Sequence, residues 1–265
     1  MQAERVIRRA LLEIQEFSLG AGLWYLLLAG LAWLLLYVLL RRRVRHRKIN
    51  PEVPERGQIP REIALSLRSL LIFGLVSGVV AALIALGWKS QLYRPIDRHG
   101  RAWYWASLGI CIVLHDTYFY WTHRLMHHPR LFRLVHRAHH LSDNPAPWAA
   151  YSFSIPEAIV QALIGPILIY AVPMHFSVFL LFMVWQVAFN VYGHCGHELA
   201  PRWFLRSPLG WLLNTPTHHT QHHEKYRSNF GLYFNAWDRL MGTNNPGYER
   251  RFREVTKIVP GEPNA

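Results

Sequence analysis

The sequence predicts an all-α protein, an integral-membrane helical bundle with a histidine-rich cap at its cytoplasmic face. Three observations predict it. Long uncharged runs occupy residues 17–40 and 69–88, with further apolar stretches at 102–121, 158–174 and 176–192. A basic block at 41–48 follows the first run. Histidines recur three and four residues apart, the spacing that puts side chains on one face of a helix.

Taken in order, residues 1–16 mix Arg5, Arg8 and Arg9 with Glu4, Glu13 and Glu16 and read as a short amphipathic helix on the membrane surface. Residues 17–40 are long enough to cross a hydrocarbon core of about 30 Å at about 1.5 Å per residue. The run lacks a small-residue cleavage site and ends in the 41–48 block, so it reads as a stop-transfer span rather than a leader. The positive-inside rule places that block in the cytoplasm and the N-terminus outside, although Lys89, Arg94, Arg98 and Arg101 in the next outer loop oppose it. Pro51, Pro54 and Pro60 mark a connector, and 69–88 returns the chain outward. Residues 102–121 begin a third span that turns polar at His115 and Asp116, so the first histidines emerge on the side of the basic block. After breaks at 142–147, residues 158–174 and 176–192 form a helical hairpin through the bilayer, with a kink expected at Pro166. Residues 199–265 read as soluble and basic. The expected division is 1–101, an N-terminal membrane region with two transmembrane helices, and 102–265, a catalytic domain.

The net charge of +13 suits nucleic acid, an anionic membrane surface or an acidic protein partner. The apolar runs decide for the membrane and against nucleic acid. Only Cys111 and Cys195 are present, which implies no disulfide framework.

The chemistry lies in the histidines. His123 and His127 form one group, His136, His139 and His140 a second, and His219, His222 and His223 a third. Neutral imidazole suits Zn, Fe, Cu or Ni. Eight nitrogens exceed the four that one tetrahedral ion takes, so two metal ions in one cage are expected. His115 lies eight residues before His123, or about 12 Å along a straight helix, too far for the same ion; a place beside the ligands or in a substrate channel suits it better. Asp116 is positioned to accept the second N–H of a ligand imidazole, and Glu157, Glu198 and Asp238 are further acceptors, with helix capping or an ion pair as the alternative. His46, His99 and His175 lie in flanks or the far hairpin turn and are assigned no metal.

Five motifs carry a resemblance across residues 103–243. They are His115-Asp-x-x-x-Tyr-Trp-x-His-Arg-x-x-His127, His136-Arg-Ala-His-His140, Asn190-x-x-Gly-His194, Asn214-Thr-Pro-x-His-His-x-x-His-His223 and Asn229-x-Gly-Leu-Tyr-Phe-x-x-Trp-Asp-Arg-Leu-Met-Gly-Thr243. In them the chain resembles the fatty acid hydroxylase and sterol desaturase superfamily of membrane di-iron enzymes, with C5-sterol desaturases nearest. The resemblance implies metal ligands at His123, His127, His136, His139, His140, His194, His219, His222 and His223. It adds His194 to the spacing argument, and makes Asn190 a poor oxygen donor where other members carry a histidine. His128 could replace His127, His218 could hydrogen-bond to a ligand, and His197 is a further neighbour. The resemblance implies two non-haem iron ions, dioxygen as co-substrate, and hydroxylation or desaturation of an unactivated C–H of a lipid. The two electrons must come from outside, since the chain has no haem, iron–sulfur or dinucleotide spacing. An acidic ferredoxin or cytochrome b5-like domain fits the cations at Arg124, Arg130, Arg133, Arg137, Lys225, Arg227, Arg239, Arg250, Arg251, Arg253 and Lys257. Coordination chemistry alone also allows a zinc-dependent membrane hydrolase. A histidine-rich transporter fits less well, because its ligands belong at the membrane midplane.

Overall fold

The computed structural model describes residues 1–257; the last eight residues of the expected catalytic region lie outside the described residues. The described residues are helical almost throughout, and among them three helices are long and apolar enough to cross a membrane. The first is α1, Gln2–Trp33, continued by a π-helical segment at Leu34–Leu39. The second is α2, Gln58–Ala85. Helix α3, Gly100–Met126, carries the first histidines; His115, Asp116 and its many Trp and Tyr residues make it less apolar than those three, although the sequence predicts a span over 102–121.

Residues 1–16 are not a separate surface helix. No proline interrupts α1 between them and the apolar run, and α2 packs along both parts. Gly74 and Gly78 permit that approach: a Cβ on Gly74 would meet Ser18 Oγ and lie 2.9 Å from Ile14 O, and one on Gly78 would meet the Ile14 side chain and lie 3.0 Å from Ala10 O. This is the small-xxx-small pattern of close helix contact in membranes. Ser77 Oγ adds a hydrogen bond to Glu13 Oε1 at 2.9 Å.

The expected hairpin is built from unequal arms. Its first arm is α6, Ile155–Ala162, followed by α7, Ile164–Ala171, and its second is α8, Phe176–Gly193. The break between α6 and α7 follows from Pro166, which has no N–H to give the carbonyl of Ala162 four residues earlier. At the end of the bundle remote from the three histidine groups, β1, Leu92–Tyr93, pairs in parallel with β2, Met174–His175.

At the other end, α4, Pro129–Val135, and α5, Arg137–His140, bring in the second histidine group. Helix α9, Pro216–Lys225, brings in the third, and α10, Tyr248–Val255, packs against it. The basic block is more than a flank. Arg47 Nε donates to Glu198 O at 2.9 Å, Glu198 N to Arg47 O at 2.8 Å, and Ile49 N to Gly196 O at 3.0 Å. These bonds strap the end of the first span to the segment after α8.

One apolar core contains residues from both sides of the expected 101/102 boundary: Tyr25, Leu70 and Phe73 pack with Tyr151, Phe153 and Val187. Tyr25 Oη and Ser66 Oγ both donate to Trp148 O, at 2.8 and 2.9 Å. The first two helices therefore hold the loop that runs from the second histidine group into α6.

Candidate metal centre

The histidines lie on four segments that reach the same end of the bundle, and their rings form two adjoining groups. His123, His127, His136, His140 and His222 make one; His139, His194, His219 and His223 make the other. Within each group the nitrogens lie within 4.8 Å of one another. All nine sequence-predicted histidines are thus brought together, His194 among them. Eight of the nine are buried, and His127 is half-buried.

Ring orientation is fixed from behind. His123 Nδ1 donates to Phe230 O at 2.8 Å, His194 Nδ1 to Asn190 O at 2.8 Å and His222 Nδ1 to Ser228 O at 2.7 Å. His136 Nδ1 faces Glu157 Oε1 at 2.7 Å. A carbonyl can only accept, so these contacts place the proton on Nδ1 and leave a bare lone pair on Nε2. Every Nε2 in the cage faces another: His123 and His136 at 3.0 Å, His127 and His140 at 3.1 Å, His140 and His222 at 3.2 Å. In the second group His194 faces His219 at 2.9 Å and His139 at 3.3 Å, and His219 faces His223 at 3.2 Å.

His123 and His136 both carry the proton on Nδ1, and two bare lone pairs 3.0 Å apart repel unless a cation lies between them. Two nitrogens each about 2.1 Å from one ion are about 3.0 Å apart at a right angle and about 3.4 Å apart at the tetrahedral angle. The observed range, 2.9–3.3 Å, is that of neighbouring ligands on one ion. Burial, reinforced by neighbouring rings, also holds His139, His140, His219, His222 and His223 well below the ordinary histidine range. They are neutral, the form that binds metal. The donor set therefore fits two metal ions.

The remaining candidates lie around the cage. His115 belongs to neither group: its Nδ1 is 2.8 Å from Tyr233 Oη, and its ring borders a large cavity. Asp116 accepts from Tyr233 N at 2.7 Å and Phe234 N at 3.1 Å, rather than from a histidine. Asp238 accepts from Phe230 N at 2.9 Å, Gly231 N at 2.7 Å and Thr243 Oγ1 at 2.7 Å, and so holds the loop whose carbonyl orients His123. His218 lies 3.6 Å from Asp238 Oδ2, outside the cage. His128 is exposed and caps α4 by accepting from Arg130 N. His197 hydrogen-bonds to Cys195 O and packs edge-on against Tyr37. Asn190 meets His194 through its backbone oxygen, not its side chain. Glu198 accepts from Ala200 N and Thr217 N, at 2.9 and 3.1 Å, and satisfies the first turn of α9.

Sequence reasoning missed the carbonyls of Phe230, Ser228 and Asn190, and the His115–Tyr233 pair. A signal for the first was present: Asn229 has φ of 62° beside Gly231, a turn chemistry that delivers the Phe230 carbonyl.

Two cavities lie close to the cage; the smaller is lined by two of its histidines and the larger by none. The larger, about 610 Å³ and mostly apolar, ends at His115, Phe119, Asn190 and Leu232. A small one of about 10 Å³ lies against His194 and His219 and shares Asn190 and Leu232 with the first.

Residues 108–243 match the family model described as fatty acid hydroxylase. The Delta(7)-sterol 5(6)-desaturase ERG3B of Gibberella zeae is 31% identical over 225 residues, covering 85% of this chain and 66% of that protein, just under two thirds of its length. The lathosterol oxidase of Rattus norvegicus is 27% identical, covering 91% of this chain and 77% of the relative. The very-long-chain aldehyde decarbonylase GL1-5 of Oryza sativa subsp. indica is 27% identical over 63% of this chain and 28% of its own length. No solved structure matches. The family match spans more than half of the chain and contains both histidine groups, and the chain belongs to the fatty acid hydroxylase/sterol desaturase superfamily.

Proposed function

We propose that this protein is a membrane-bound, non-haem di-iron oxidoreductase that hydroxylates or desaturates an unactivated C–H of a lipid, using dioxygen and two external electrons. The observation that carries the reading is the two groups of converging Nε2 atoms beside an apolar cavity of about 610 Å³, whose lining reaches Asn190, the residue whose carbonyl holds His194. His123, His127, His136, His140 and His222 would hold one ion, and His139, His194, His219 and His223 the other. The iron pair supplies activation of dioxygen and the oxidising power to take hydrogen from carbon.

The chain's own residues prepare that chemistry. Phe230 O, Ser228 O, Asn190 O and Glu157 hold the Nδ1 protons of four rings, so each Nε2 stays a lone-pair donor. Glu157 and Asp238 place negative charge behind an otherwise neutral ligand set. Phe119, Leu232 and Phe182 line the approach to the cage and exclude water from the inner end of the cavity. His115, tied to Tyr233, stands where the cavity meets the cage, and Asp116 fixes the Tyr233 backbone behind it. Hydroxylation consumes one dioxygen, two electrons and two protons and gives an alcohol and water; desaturation consumes the same and gives an alkene and two waters. How the lipid lies along Asn190 and Leu232 decides between them.

Residues 1–101 would serve as the cavity's outer wall and 102–265 as the catalytic part. The active site would face the cytoplasm, since the cage and the 41–48 block share one end of the bundle. Electrons would arrive from an acidic ferredoxin or cytochrome b5-like protein at the exposed Arg130, Arg133, Arg137 and Arg227, all at that end.

Lipid mass spectrometry of cells with and without the protein, supplied with labelled dioxygen, tests the reading. A lipid that gains labelled oxygen or loses two hydrogens only when the protein is present supports it. A hydrolysis product, with zinc in the purified protein, would replace it with the hydrolase reading.

A further inference from the structure

The large cavity has two unlike ends. Its inner end is His115, Asn190 and Leu232; its outer end is formed by Arg9 and Glu13 of α1, Ser77 of α2, and Arg94 beyond β1. Both arginines are exposed at the mouth. Glu13 is already engaged, by Ser77 at 2.9 Å and by Arg9 at 3.8 Å. Arg94 has no ion pair among the described residues; its guanidinium lies 5.0 Å from the Phe176 ring centroid, so its place at the rim is set by packing. The mouth therefore offers more positive charge than it neutralises. Between the ends the wall is mostly apolar, with Phe17, Phe73, Val80, Ile164 and Phe179, and carries no charged side chain.

Length follows from α8, which lines the cavity from Phe176 at the mouth to Asn190 at the cage. Fourteen residues of helix at about 1.5 Å each span roughly 21 Å. A bound lipid must fill that length, because the carbon to be oxidised has to reach the cage and a polar head is stable only where polar partners exist. The rim provides guanidinium groups. At the inner end the imidazoles of the cage face one another, and the wall offers His115, the amides of Asn190, Gln186 and Gln161 and the Tyr151 hydroxyl, with no guanidinium or ammonium to pair with an anion.

Resting on the lipid-oxidising reading above, we propose that the substrate is a single-chain amphiphile with an anionic head, a carboxylate or a phosphate. Arg94 and Arg9 hold the head at the mouth, and the apolar body runs inward to the cage. Oxidation then falls on carbons remote from the head, at a distance set by the cavity. A neutral sterol would leave the Arg94 guanidinium without a charged partner, Arg9 already having Glu13.

Binding separates this proposal from the reaction it serves. The metal-loaded, full-length protein in zwitterionic nanodiscs is titrated with radiolabelled hexadecanoate, 1-palmitoyl lysophosphatidate, hexadecanol and a neutral sterol. Hexadecanoate, lysophosphatidate or both should bind about ten-fold tighter than hexadecanol, as hydrogen bonds to a charged group imply. The tighter of the two anionic probes identifies the head. Arg94→Gln should remove most of that difference and leave hexadecanol unchanged, while Arg94→Lys should retain a good part of it. Equal binding of hexadecanoate, lysophosphatidate and hexadecanol, or an anionic preference that survives Arg94→Gln, overturns the proposal. If the neutral sterol binds most tightly and is oxidised, this inference fails while lipid oxidation stands. If no probe binds and none is oxidised, both fail.

Discussion

Glu157 offers the most quantitative test of how the cage is held. Its carboxylate is fully buried in the first turn of α6, and Oε1 lies 2.7 Å from His136 Nδ1. Glu157→Ala strands that N–H in the interior, which costs about 1–3 kcal/mol. It also makes the ring a weaker donor and frees it to rotate. Removing a carboxylate behind a metal-bound histidine lowers metal affinity about 10- to 100-fold, or roughly 1.4–2.7 kcal/mol. Glu157→Gln keeps an oxygen acceptor without the charge, so its loss should fall at or below the lower figure. The assay loads each protein with iron, equilibrates it against graded chelator and counts the metal retained by mass spectrometry. Glu249→Ala, which removes only an exposed pair with Arg253, serves as control. The loss should appear in the chelator midpoint in the order alanine, glutamine, unchanged protein. If Glu157→Ala retains iron to the same midpoint as the unchanged protein, the carboxylate does not orient a metal ligand and the reasoning from Nδ1 to Nε2 is wrong.

Further outcomes follow from other parts of the molecule. Gly78→Leu should force α1 away from α2, because a single Cβ already lies 3.0 Å from Ala10 O; thermal unfolding in detergent should shift down, with a loss of at least 1–3 kcal/mol. Burial lowers the His197 pKa to about 4, so between that value and the ordinary 6.5 the unfolded chain binds more protons. Stability should therefore fall as pH drops through this window, by up to roughly 3 kcal/mol from this ring. His197→Gln should flatten the stability profile there, and an unchanged slope contradicts the assignment. Arg130→Cys and Lys225→Cys should label from the same membrane face with an impermeant reagent, on a background in which native Cys111 and Cys195 are buried. Reversing Arg130, Arg133 and Arg137 to Glu should slow reduction by an acidic redox protein while leaving iron content unchanged, and the difference should shrink as the Debye length falls from about 10 Å at 0.1 M salt to about 3 Å at 1 M. Arg251 is a poor choice for that experiment, since it donates to Ile49 O at 2.6 Å and braces the fold.

Much of this architecture was legible because it rests on short-range spacing. His219, His222 and His223 share a face of α9 whatever surrounds them, and an uncharged run of membrane length must be buried or spanning. The Pro166 break was legible for the same local reason. What spacing could not give was the pairing of distant segments. Nothing near His136 in the chain announces which acceptor will lie behind it, because Glu157 reaches it only once α6 has turned back across the cage. Asp116 was expected behind an imidazole on the strength of sharing its stripe, yet the chain brings Tyr233 and Phe234 closer, and their N–H groups take the carboxylate. The continuity of α1 was hidden too, since the charges in residues 1–16 suggest a surface helix and only the contact with Gly74 and Gly78 shows why it runs on. The cavity is the least legible feature, being a space bounded by residues from Arg9 to Leu232.

The most direct test of the central claim is the identity and number of metal ions in the purified chain, measured together in the unchanged protein and in single variants from each histidine group. The account predicts about two irons per chain, falling in both His140→Ala and His219→Ala, one from each group, along with loss of lipid oxidation. Zinc in place of iron, a single ion per chain, or full iron content and activity in either variant would contradict it.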